Sequence, residues 1–159
     1  MESNSTNQQI HDGVVAINSM IVRRVKVNRS RSPAEMLNAT NRKQYLDRNV
    51  VKDIPKGKED EPEIFFFKLG YEINDDNLEK EYSLRGLKPA DVYSLGAVNE
   101  ADRAFSDDYP NGTHWKGIDG NWCYAAFIRW CGDGHRVHII RSIVDDDWDD
   151  FWWFAGVRE

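Results

Sequence analysis

Five carboxylates fall within six positions near the end of the chain, at Asp145, Asp146, Asp147, Asp149 and Asp150. Such a cluster repels itself, and a hard cation relieves the repulsion, so calcium is the first chemistry to test. An EF-hand loop needs carboxylates at alternating positions, a glycine at the sixth and a glutamate at the twelfth. Counted from Asp145, the sixth residue is Asp150 and the twelfth is Gly156, so that loop is absent. The aspartates read instead as a solvated turn that shields the following strand from edge pairing. No metal site is assigned.

Trp148 interrupts the cluster, and Phe151, Trp152, Trp153 and Phe154 follow it. Indole faces stack on sugar rings, so a carbohydrate-binding platform is the second chemistry to weigh. Strand alternation sends Phe151, Trp153, Ala155 and Val157 to one face and Trp152, Phe154, Gly156 and Arg158 to the other. Large aromatics on both faces describe a strand packed on both sides. The segment is read as a turn and a core strand. Trp115, Trp148 and Trp152 are kept as aromatic surface candidates.

Histidine supplies little more. His135 and His138 stand three apart in an expected strand and point to opposite faces, so without a bulge they cannot share a metal. His11 lies in the expected tail. His114 follows a turn and is placed to act as a general base, but the sequence names no partner for it. There is no G-x-S-x-G, P-loop or G-x-G-x-x-G, and no activated cysteine. No catalytic residue and no cofactor are assigned.

One basic stretch remains. Arg23, Arg24, Lys26, Arg29 and Arg31 lie within nine residues, just before an expected helix start. Helix starts favour anions, and five cations suit phosphates. Against nucleic acid stand a pI of about 5.2 and the lack of a recognisable binding signature. Residues 1–58 carry net +6 and residues 59–159 net −12, which together make the −6 of the chain. That polarity could steer a partner.

The elements that must position these groups follow from local signals. Residues 1–12 read as a flexible tail. A Val- and Ile-rich strand from Met20 comes next. Ser32-Pro33-Ala34-Glu35 is a capping box with proline at the first helical position, and predicts a helix over residues 33–45. EIFFFKLGYEI is a buried strand. DDNLEKEYSLRG is a short helix with an acidic first turn and Gly86 beyond its end. Pro89 is expected to open a third helix, whose apolar face runs through Val92, Leu95, Val98 and Phe105. From Thr113 the pattern is all strand, with hairpin-sized loops at KGIDG and CGDGH.

The resulting expectation is an α+β protein with one domain over residues 13–159. About three short helices pack on an antiparallel sheet that ends in a C-terminal β-meander. No apolar run reaches the ~18–20 residues of a membrane span, and no signal peptide is visible. Cys123 and Cys131, if on one strand, stand roughly 26 Å apart, too far for a disulfide. A cytoplasmic location is expected. The function expected is a non-enzymatic binding protein whose partner is another protein. A nucleic-acid-associated protein using residues 23–31 is the alternative, and a small hydrolase or carbohydrate-binding module ranks below it.

Overall fold

Ser32 starts the first helix as its sequence dictates. Its side chain accepts from the Glu35 amide at 3.1 Å, and Glu35 accepts in return from the Ser32 amide at 2.7 Å. The helix, α1, spans Pro33–Ala39 and stops before Asn41, whose φ of 53° is left-handed. Asparagine tolerates that conformation better than most residues. The KQYL segment beyond it therefore forms a strand and does not prolong the helix to residue 45.

The computed structural model describes residues 10–11, 14–15, 20–132, 134–143 and 146–159. Within them β1 (Ile10–His11), β2 (Val14–Val15) and β3 (Ile21–Arg24) precede α1. After it come β4 (Lys43–Leu46), α2 (Arg48–Val51), β5 (Glu63–Lys68), α3 (Asp75–Leu84) and β6 (Leu87–Pro89). The chain continues through α4 (Val92–Ala101), α5 (Phe105–Asp108), β7 (Asn111–Lys116), β8 (Trp122–Trp130), β9 (Gly134–Arg141) and β10 (Trp153–Arg158). The expected tail lies outside the described residues except for Ile10 and His11, which form β1.

The sheet corrects the expected fold. Eight strands form one open, mixed sheet in the order β3-β5-β10-β7-β8-β9-β4, with β6 joined to β10. Strands β7, β8 and β9 do run as a meander, but β10 does not extend it. It returns to the middle, antiparallel to β5 and parallel to β7, and β4 lies parallel to β9. The described residues form five helices where about three were expected, the extra two, α2 and α5, being single turns.

The physical reason lies in β10 itself. Phe154 and Ala155 point to opposite faces and both are buried, so the strand gains most where both faces are covered. The connection into β10 is pinned on the way, since Ile73 and Trp148 exchange backbone hydrogen bonds at 2.8 and 3.1 Å. The expected alternation is seen. Trp153, Ala155 and Val157 pack with α1 and α4 on one face, while Trp152 and Phe154 pack with Leu78 and Tyr82 of α3 on the other. The third helix begins later than expected. Asp91 caps it by accepting from the Ser94 amide, and Pro89 ends β6 opposite Gly156.

One consequence of this topology positions the site. β10 pairs with β7 only at Asn111 and Gly112, then with β6 from Gly156 to Arg158. The two neighbours of β10 therefore part. Among the described residues no strand pairs with Thr113–Lys116 on the side away from β8.

Candidate functional site

α3 presents Asp75 in its first turn and Glu79 one turn later, on the same face because four residues make just over one helical turn. That face meets His114 of β7. Asp75 Oδ1 lies 2.8 Å from His114 Nδ1, and Glu79 Oε1 lies 2.9 Å from Nε2. Asp75 Oδ1 also accepts from Trp148 Nε1 at 2.9 Å. Trp122 of β8 stacks on the imidazole with centroids 4.1 Å apart and 14° between planes. Its Nε1 donates to Asp76 at 2.8 Å.

Both ring nitrogens of His114 thus face carboxylates, and an imidazole satisfies two acceptors only when both nitrogens carry protons. His114 is fully buried. Burial pushes its pKa down, but the hydrogen bonds and charges of Asp75 and Glu79 outweigh burial and raise it above the ordinary value. Burial pushes Asp75 up, while its bonds from His114 and Trp148 bring it below the ordinary carboxylate value. The bond from His114 lowers Glu79 against a smaller opposing effect of burial. The indole of Trp122 adds a cation–π contact to the imidazolium. The arrangement is a charged clamp joining α3, β7, β8 and the Trp148 loop. Each of its two N–H groups is committed to a carboxylate, which leaves His114 no free nitrogen to serve as a general base.

The clamp borders a groove of about 1110 Å³ that opens between β6 and β7. Apolar atoms make up most of its wall surface, with Leu84 of α3, Pro89 of β6, Val92 of α4, Trp115 of β7 and Trp122 of β8 among the side chains that line it. Charges of both signs line it as well: Asp76, Glu79, Lys80 and Glu81 of α3, Lys88 of β6, Asp91, and Lys116 of β7. Thr113 Oγ1 donates to Ala90 O at 2.6 Å and ties β7 to the residue that follows β6. The side chain of Glu79 is 47% exposed, against 0% for His114. Glu79 is therefore the part of the clamp that a ligand can touch.

The residues singled out by sequence are distributed differently. Trp115 lines the groove and is half-buried. Trp148, expected at the surface, is buried, because its indole N–H finds Asp75 and its ring packs edge-on against Trp152 and Phe154. Trp152 is half-buried beside it. The basic stretch is largely spent inside the chain. Arg29 pairs with Asp91 at 2.9 Å and donates to the carbonyls of Lys56 and Glu59. Arg31 meets Glu100 at 2.8 Å, and Arg24 lies 3.6 Å from Glu63. The guanidinium of Arg23 lies over the Phe105 ring. Arg24, Lys26 and Arg31 share a hollow of about 460 Å³ with Glu100 and Tyr93.

No family model, curated protein or solved structure matches the chain.

The partners of His114 escaped sequence reasoning, since Asp75 lies 39 residues away. One signal was present, namely two carboxylates one turn apart at the start of a well-marked helix.

Proposed function

We propose that this chain is a small non-enzymatic binding protein, working in the cytoplasm as one domain over residues 13–159, whose partner is another protein. The groove between β6 and β7 is its recognition site. The observation that carries this reading is the wall itself: an open groove whose surface is mostly apolar, with exposed aromatic and aliphatic side chains set among charges of both signs, has the form of a recognition site. Aromatic side chains at such a site supply large contact area at small entropic cost. The clamp supports binding over catalysis, because it holds a charge in place and offers no free acid or base beside a nucleophile. Cys123 and Cys131 are both unbridged, which suits a reducing compartment. No described helix is long and apolar enough to cross a membrane.

The test is affinity capture from host lysate with the wild-type chain and with Leu84→Glu, each with and without nuclease. Leu84 is 42% exposed on the groove wall, so its substitution leaves the core intact. A protein captured by the wild type, resistant to nuclease and lost with Leu84→Glu, is the expected result. Capture of nucleic acid, unchanged by Leu84→Glu and lost at high salt, would move the site to Arg23–Arg31.

A further inference from the structure

The two carboxylates that His114 joins are unequally buried. The side chain of Asp75 is 8% exposed and that of Glu79 is 47% exposed, while the ring between them is fully buried. Asp75 also accepts from Trp148 Nε1 at 2.9 Å. Among the described residues, the carboxylate of Glu79 has no hydrogen bond besides the one from His114.

Both bonds to the ring cannot survive the loss of its charge. A neutral imidazole carries one N–H, so one of the two carboxylates would then face a nitrogen lone pair. An anion left without a donor in the interior is costly, whereas one that reaches water is not. Asp75 is enclosed and must keep its donor. Glu79 needs only a side-chain rotation to enter the groove it already lines. Lys116 of β7 lines the same groove, with its ammonium 5.2 Å from the centre of the Trp122 ring, and its charge acts on Glu79.

The other groups around the ring do not substitute for that proton. Tyr82 of α3 packs with its ring centre 5.6 Å away, but its hydroxyl donates to Ala155 O at 2.8 Å and burial keeps it protonated. On β8, Trp122 covers one face of the ring and donates to Asp76. Tyr124, opposite His114 in register, is also kept protonated by burial, reinforced by the charges of Asp146 and Asp75. Asp75 and Glu79 are therefore the ionic partners of His114 among the described residues.

We infer that His114 is a proton switch on the groove: the charged ring pins Glu79, and loss of the Nε2 proton to water releases Glu79 into the groove while Nδ1–H stays on Asp75. The switch does not depend on what the groove binds. It sets whether a carboxylate at the groove wall is fixed or mobile.

Nuclear magnetic resonance of the full chain, with its histidine rings labelled with nitrogen-15, tests the inference between about pH 5 and about pH 10. His11→Gln, His135→Gln and His138→Gln assign the other three histidines and leave His114 by elimination. Both ring nitrogens of His114 should read as N–H at low pH. Above a midpoint higher than 6.5, Nε2 should read as unprotonated and Nδ1 as N–H. That is the reverse of the tautomer that a free histidine side chain favours. The carboxyl carbon-13 signal of Glu79, assigned with Glu79→Gln, should shift with the same midpoint. Glu79→Gln should itself lower the midpoint, because an amide can turn and donate to the neutral ring. Loss of the Nδ1 proton instead would place the release at Asp75 and overturn the assignment. A Glu79 signal indifferent to the titration, or a ring doubly protonated up to alkaline unfolding, would make the clamp a fixed lock and overturn the switch.

Discussion

Asp75 and His114 stand 39 residues apart in sequence and share a 2.8 Å hydrogen bond in the interior. Each arrives there for a local reason: Asp75 because the acidic first turn of α3 follows its Asn74 cap, His114 because strand alternation points it toward that helix. Buried alone, either charge would be costly. Together with Glu79, Trp122 and Trp148 they form a satisfied network beside the groove.

Breaking that network should cost more than an ordinary surface change. Asp75→Ala leaves the imidazolium half-paired and orphans the Trp148 indole N–H, and should destabilise the fold by about 3–5 kcal/mol. Urea unfolding measures it. A loss below about 1 kcal/mol would mean that the network contributes little to stability.

Stability should depend on pH at both ends. Asp75 and Glu79 sit below their ordinary values of 3.8 and 4.5, so their contribution is complete above those values and is lost as pH falls through the depressed ones. His114 sits above 6.5, so its contribution is complete below 6.5 and is lost as pH rises through the raised value. Together these groups contribute most between 4.5 and 6.5. Glu79→Gln removes one of the two negative charges that face the imidazolium and should bring the alkaline decline to lower pH. Unfolding midpoints that rise steadily through the neutral range in the wild type, or are unmoved by the substitution, would contradict this.

Gly112 makes room for Trp148. A β-carbon there would stand 2.8 Å from the indole ring and 3.0 Å from the Ala125 carbonyl oxygen. Gly112→Ala should therefore displace Trp148 from Asp75 and cost about 1–3 kcal/mol by overpacking. Tryptophan fluorescence and the unfolding midpoint should both change. A shift in neither would show that the indole relocates freely.

At the other end of the molecule, Ser32→Ala removes the N-cap bond to the Glu35 amide. The expected loss is about 0.5–2 kcal/mol. An unchanged unfolding midpoint would refute the capping contribution.

Local signals in the sequence were reliable where the structure depends on neighbours a few residues away. The Ser32–Glu35 box, the span of α3 and the two-faced packing of Trp153 and Phe154 all belong to this kind. Pairing between distant strands was not legible. Nothing near β10 indicates that it will cross back to pair with β5 and β7, because that choice is made by burial of both its faces in the assembled sheet. The split of the sheet and the groove beside it follow from the same crossing. His114 was visible as a candidate, but its role was not, since its two partners lie on α3. Trp148 was misjudged because its flanking aspartates mark a solvated turn, while its indole N–H finds a buried carboxylate.

The most direct measurement places a photo-crosslinking amino acid at Leu84, on the groove wall, and separately at Lys26, in the basic stretch, in the chain expressed in its host. The predicted result is a discrete protein adduct from position 84 and none from position 26. Adducts formed only from position 26, or formed with nucleic acid, would contradict a protein-binding groove between β6 and β7.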